Sequence, residues 1–254
     1  MYELGVLYYR DAQGRAAGID KDLIEALAQR SGCKLDMVLE SRARIWAQMA
    51  AGQMDLTVSA IPTPEREQFA ELTPYMRTRN HVLIHKDLAA RMDSLNTFKD
   101  ETPRRVVVVK GYRHGRVFDA WLDEMRAQRR VVEASSYDNA MRMLRAGRAD
   151  MMFTEPINLR SKDETWMREM RLLDWAPSDD VLACLVVSRT RVSEADRHRL
   201  RAALHSMLQD GTIDQLLRRH VGDAMLAHTR LAPSSQFKGT DNREHALQPR
   251  PPGT

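Results

Sequence analysis

The chain has 254 residues, 43% of them hydrophobic and 29% charged, enough for one large or two small domains with real cores. Its net charge of +4 is spread with both signs interspersed, so it carries no electrostatic footprint for a nucleic-acid partner. No run approaches the roughly 18 apolar residues of a membrane span, and Cys33 and Cys184 have neither metal nor redox spacing.

In chain order, Asp11-Ala-Gln-Gly14 is a turn. Asp20 is placed to cap a helix carrying Leu23, Ile24, Leu27 and Ala28 on one face, stopped at Gly32. Lys34–Glu40 reads as a strand, followed by a helix with Ile45 and Met49 inward and Gly52 at its end. Leu56 and Val58 belong to a short buried strand. Thr63 then stands at a helix N-cap, Pro64 at the first helical position and Arg66 in the first turn. A cation there opposes the helix dipole, unless it and the free N–H groups face one anion. The two readings left open are an ordinary surface arginine and an anion contact.

Tyr75 to Lys86 reads as a strand leaving the first half, and Val106–Val109 as a fully apolar strand. Lys110–Gly115 turns into a helix with Phe118, Trp121, Leu122 and Met125 at helical spacing, a core stripe. Ser136 can cap a helix carrying Ala140, Met141 and Leu144, which leads to a strand over 149–153 and the polar loop 154–160. Val181–Ser188 is a returning strand, and Ser193 caps a helix with Leu200, Leu204, Met207 and Leu208 on one face. The Pro-, Ser- and Gly-rich end, residues 227–254, reads as a disordered tail. The two cysteines read as buried thiols, able to form a disulfide only if their strands neighbour. The eight histidines are scattered, and no catalytic triad or metal-ligand spacing is present, so no catalytic residue, metal or cofactor is expected.

An internal echo implies two lobes. Residues 49–60 align with 144–155, pairing Gly52 with Gly147 and Asp55 with Asp150. Each copy runs helix, glycine stop, strand, polar loop. In open α/β sheets ligands sit at such strand ends, and two of them face to face make a cleft.

Ser59-Ala-Ile-Pro-Thr-Pro-Glu-Arg66, followed by Phe69 and Leu72-Thr-Pro-Tyr75, resembles the lobe-one signature of bacterial extracellular solute-binding proteins of the polar-amino-acid type. Gly18-Ile-Asp-Lys-Asp-Leu23, Ser94–Lys99 and Asp210-Gly-Thr-Ile213 extend the resemblance over roughly residues 10 to 224. It implies an α/β, two-lobed periplasmic-binding-protein-like fold with two hinge strands. Lobe one would span residues 1–84, lobe two 85–178, and a return to lobe one 179–226. It also implies a first strand lying upstream of Met1, a truncated start without signal peptide, and a periplasmic location.

The same resemblance assigns the site. Arg66 would clamp a ligand carboxylate, with Ser59, Ala60, Ile61 and Thr63 in the adjoining loop, here one residue shorter than usual and carrying Ile61-Pro62. Gly111, Tyr112 and Arg113 occupy the lobe-two turn that presents backbone N–H groups to the carboxylate. Glu155 stands where the family has an aspartate for the ligand ammonium; alternatively it only starts the next helix. Arg42 and Arg44 sit in a ligand-contacting turn, as solvated arginines or as a second cationic contact favouring an anionic or dicarboxylic solute. The function implied is that of a monomeric solute receptor for an amino acid or carboxylate, feeding the membrane subunits of an ABC transporter, and not an enzyme. Cyclohexadienyl dehydratase is also similar near 150–160 but carries a catalytic glutamate where this chain has Asn158, and an amide is no general acid. A sensory ligand-binding domain shares the architecture.

Overall fold

The computed structural model describes residues 1–159 and 164–231; the expected tail therefore lies almost wholly outside the described residues. In chain order the elements are β1 (Tyr9–Arg10), β2 (Ala16–Ala17), α1 (Ile19–Ser31), α2 (Arg42–Ala50), β3 (Leu56–Ala60), α3 (Pro64–Phe69) and β4 (Ala70–Thr78). They continue with β5 (His81–His85), α4 (Lys86–Ala89), α5 (Leu95–Asp100), β6 (Val106–Val109), α6 (Arg116–Ala127), β7 (Val131–Ala134), α7 (Tyr137–Arg145) and β8 (Met151–Thr154). A 3-10 turn (Pro156–Asn158), α8 (Glu164–Arg168), β9 (Met170–Leu173), β10 (Val181–Ser188), α9 (Glu194–Gln209) and α10 (Thr212–Thr229) complete the chain.

Two sheets define two lobes. One has the order β3-β10-β4, with β10 antiparallel to both neighbours. The other is five-stranded, β7-β6-β8-β5-β9, with β6 parallel to β7 and β8. β6 is buried on both faces: Val107 and Val109 join one apolar cluster, Val106 and Val108 the other. That is why its four residues are all valine. The inward stripe of α6 is as the periodicity predicts, with Phe118, Trp121, Leu122 and Met125 all buried.

The internal echo is structural. Gly52 and Gly147 both have positive φ, 64° and 65°. Each is followed by an N–H that reaches back five residues, Gln53 to Gln48 at 2.8 Å and Arg148 to Met143 at 2.9 Å. This left-handed helix stop needs glycine's freedom, and it sends β3 and β8 toward the same cleft.

Four expectations need correction. His81–His85 pairs with β8 and β9, so the crossing between lobes falls at Arg79–Asn80 rather than after residue 84. Lys34–Glu40 is not a strand. Among the described residues its backbone bonds run to the first residue, through Glu40 N–H to Met1 O at 2.8 Å and the Met1 ammonium to Val38 O at 2.6 Å; with no described strand laddered beside it, Met37, Val38 and Leu39 stay exposed. α10 continues to Thr229, past the expected start of the tail at 227. Cys33 is half-buried and Cys184 buried, and both are free thiols.

The two crossings are tied together. Arg79, on the first, donates to Asp174 and to Asp180, flanking the second, at 2.7 Å each. Within lobe two, buried Arg130 donates to the carbonyls of Arg104, Lys99, Phe98 and Glu101 at 2.6–3.2 Å. Removing one buried donor leaves acceptors unpaired. Arg130→Ala should therefore lower unfolding stability by at least about 2 kcal/mol. Arg130→Lys should not restore it, because an ammonium cannot fork to spread acceptors. Urea denaturation with an unchanged m-value checks both.

Candidate functional site

The lobe-one half of the cleft is built around the end of β3. Between Thr57 and Ala60 the register against β10 shifts: β3 spends two residues where β10 spends one. This bulge puts Ser59 at φ 53°, in the left-handed region. Its backbone and side chain are held from four directions. Ser59 Oγ donates to Asp20 at 2.6 Å, and Ser59 N–H donates to the Tyr75 hydroxyl at 3.0 Å. Ser59 O accepts from the Tyr2 hydroxyl at 3.0 Å and from Arg42 at 3.1 Å. Asp20 is thus no helix cap: it is fully buried, and that burial raises its carboxyl to about 6.

Beyond the bulge, Thr63 caps α3 by accepting from Arg66 N–H at 3.3 Å, with Pro64 at the first helical position as predicted. The Arg66 side chain turns back into the cleft. It donates to Ile61 O at 2.5 Å and, across the cleft, to Gly111 O at 3.2 Å. Its guanidinium lies 3.7 Å from the Trp46 ring centroid. Arg42 approaches the same indole at 4.8 Å and the Tyr2 ring at 4.2 Å, while donating to Thr57, Val58 and Ser59. Both guanidiniums are buried, 4% exposed for Arg42 and 6% for Arg66. Burial, then the neighbouring charges of Arg42 and Arg113, bring Arg66 down to about 9, still a cation at neutral pH. Among the described residues neither has a carboxylate partner at ion-pair distance, whereas Arg44 pairs with Glu40 at 3.5 Å and Arg113 with Glu65 at 3.8 Å. A buried cation without a counter-ion is costly. Stacking on Trp46 and bonds to carbonyls offset part of that cost.

Lobe two closes over this surface. A Cβ at Gly111, whose φ is 86°, would sit 2.9 Å from Ala43 N; only glycine lets this turn rest on the start of α2. Tyr112 meets Tyr2 edge-on at 5.6 Å. Glu155 precedes the 3-10 turn and accepts from Asn158 Nδ2 at 2.6 Å. Burial raises its carboxyl to about 7, the bond from Asn158 opposes that, and the Asp20 charge adds to it.

A cavity of about 50 Å³ remains between the lobes, lined from the predicted set by Ser59, Ile61, Arg42, Arg66, Tyr112, Arg113 and Glu155. A larger one of about 580 Å³ adjoins it past Arg66, lined by Trp46, Arg66, Gly111, Tyr112 and Arg113 among others. Gly111 belongs only to this second cavity. Ala60, Thr63 and Arg44 line neither; Ala60 is buried in the strand and Arg44 points to solvent, its side chain 66% exposed. Sequence reasoning missed Tyr2, Asn80, His114 and Tyr137 in the cleft wall. His114 falls in the Lys110–Gly115 turn already marked as a site loop; Tyr2 and Asn80 carried no signal. Among the described residues no group of His, Cys, Asp and Glu could hold a metal ion, and no helix is long and apolar enough to cross a membrane.

The fold has solved counterparts. An ancestral arginine-binding protein bound to glutamine is similar at 19% identity with a TM-score of 0.73, covering 87% of this chain and 96% of that one. A solute receptor for L-cysteine of Neisseria gonorrhoeae is similar at 18% identity and TM-score 0.71, over 89% and 91%. The ancestral amino acid-binding protein AncCDT-1, a precursor of cyclohexadienyl dehydratase, is similar at 20% identity and TM-score 0.68, over 87% and 93%. At these identities the likeness establishes the two-lobed fold alone. No curated protein matches the sequence. The family model for bacterial extracellular solute-binding proteins, family 3, matches residues 6–223, and the chain belongs to that family.

Proposed function

We propose that the chain is the receptor of an ABC transporter, working as a monomer in the periplasm and binding an amino acid or similar small carboxylate between its lobes. The observation that carries this reading is the pair of buried guanidiniums, Arg42 and Arg66, stacked on Trp46 with no carboxylate partner among the described residues. A ligand carboxylate at Arg66 supplies the missing counter-ion. Glu155, on the opposing lobe, takes a ligand ammonium. The structural relatives fit this reading, since arginine, glutamine and L-cysteine figure among the ligands they are described with. The 50 Å³ cavity is smaller than an amino acid needs, so the lobes part on the two crossings to admit the ligand and close again over it. An enzymatic reading has less support: Asn158, engaged with Glu155, offers no proton to a dehydration.

Calorimetric titration with an amino-acid and carboxylate panel tests the assignment. Arg66→Ala should weaken binding about ten- to a hundredfold, the worth of one charge-assisted hydrogen bond; unchanged affinity would remove Arg66 from the site.

The pH dependence follows from Glu155. Burial pushes its carboxyl up to about 7, and only the ionised form pairs with an ammonium. Affinity for an ammonium-bearing ligand should be full above pH 7 and fall toward tenfold per unit below it. Asp20 also titrates near 6 but does not line the cavity, so a Glu155→Gln variant, weaker at pH 8 and nearly flat below 7, separates the two. Gly111→Ala should leave both lobes folded yet weaken binding, because the added methyl meets the backbone of Ala43. Small-angle scattering of the ligand-saturated variant should show an incompletely closed molecule.

A further inference from the structure

The lobe-two wall of the cleft holds buried polar atoms that no other group among the described residues engages. His114 is 4% exposed and Asn158 3%, and both line the inter-lobe cavity. Among the described residues His114 Nε2 and Asn158 Oδ1 have no hydrogen-bond partner. Buried polar atoms without partners are rare in folded proteins, and two on the wall of one cavity mark a place where a ligand completes the bonding.

Their chemistry is fixed by their neighbours. Asn80 Nδ2 donates to His114 O at 3.1 Å, which turns Asn80 Oδ1 toward His114 Nδ1 at 3.4 Å. An amide oxygen only accepts, so Nδ1 carries the ring proton and Nε2 presents a bare lone pair. Burial holds the ring neutral, down to about 3, with Arg126 and Arg113 adding to the effect. The ring is packed against Phe153, with centroids 5.2 Å apart, so it is held in place. In Asn158 the amide nitrogen is committed to Glu155, and the oxygen left over is likewise an acceptor. The Tyr137 hydroxyl nearby is occupied by Thr154 at 2.7 Å and does not satisfy either atom.

We propose that His114 and Asn158 form an acceptor subsite that selects amino acids whose side chain ends in a hydrogen-bond donor, such as an amide, guanidinium or hydroxyl, over those ending in a carboxylate or an alkyl group. The inference rests on the amino-acid reading given above. It also bears on the second-cation reading of Arg42 and Arg44: Arg42 commits three of its five N–H donors to Thr57, Val58 and Ser59, and Arg44 faces solvent. A site that hydrogen-bonds a ligand group discriminates strongly against the isostere lacking it.

Calorimetry with L-glutamine, L-arginine, L-glutamate, L-methionine and L-alanine tests this. The expected result is that glutamine or arginine binds at least tenfold more tightly than glutamate and methionine. In His114→Leu that advantage should shrink to within about threefold; His114→Gln, whose amide oxygen can accept in the same place, should restore part of it. Should His114→Leu fail to fold by its melting curve, Asn158→Leu carries the same expectation from a separate element. Glutamate or methionine binding as tightly as glutamine and arginine to the wild type, or an unchanged ratio in the folded variant, overturns the subsite while leaving the receptor reading intact. No saturable heat with any of the five, while another member of the amino-acid and carboxylate panel binds, overturns the subsite alone; no heat with the whole panel overturns both.

Discussion

Ser59 is the point on which the cleft depends. A serine held at positive φ is strained by roughly 1–3 kcal/mol, and it persists because four elements converge on it. Asp20 comes from α1, Arg42 from α2, Tyr75 from β4 and Tyr2 from the first residues. The strain and the network require each other. Without the bulge, Ser59 Oγ would not reach Asp20, and Asp20 would be a buried carboxylate lacking its shortest hydrogen bond. Without the network, β3 would run straight, and the loop carrying Ile61 and Arg66 would leave the sheet in another direction. The N-terminal residues and α2 are thereby anchored to the end of β3, and the floor of the cleft is set before any ligand arrives.

Much of this was legible because it is local. The helix stop at Gly52 and its copy at Gly147 follow from chain geometry, and the capped start of α3 follows from Thr63-Pro64. The errors share one cause, a partner distant in sequence. Leu35, Met37 and Leu39 alternate as a strand should, yet a strand exists only beside another strand, and the pattern cannot report whether one is present. His81–His85 reads equally well in either sheet, so the crossing was misplaced. Asp20 sits where a cap belongs, and only Ser59 and Tyr75, distant in the chain, decide that it turns inward. Arg42 and Arg44 are a different case. They stand two apart on a helix and therefore face opposite ways, and Arg42 shares the inward face with Ile45 and Met49 at the i+3 and i+7 positions. The burial of one arginine and exposure of the other were written in that spacing.

The cleft is polarised across the lobes. Lobe one contributes two stacked guanidiniums, and lobe two a carboxylate near its titration point together with neutral acceptors. With the lobes in contact, Arg66 donates to the carbonyls of Ile61 and Gly111. These are neutral substitutes for the anion that a buried guanidinium binds best. The Gly111 bond is itself a contact between lobes. In the proposed receptor, a carboxylate at Arg66 exchanges a neutral acceptor for a charged one as the two surfaces close. Recognition and closure in the proposed receptor draw on the same side chain, while Arg79, bonded to Asp174 and Asp180, ties the two crossings together.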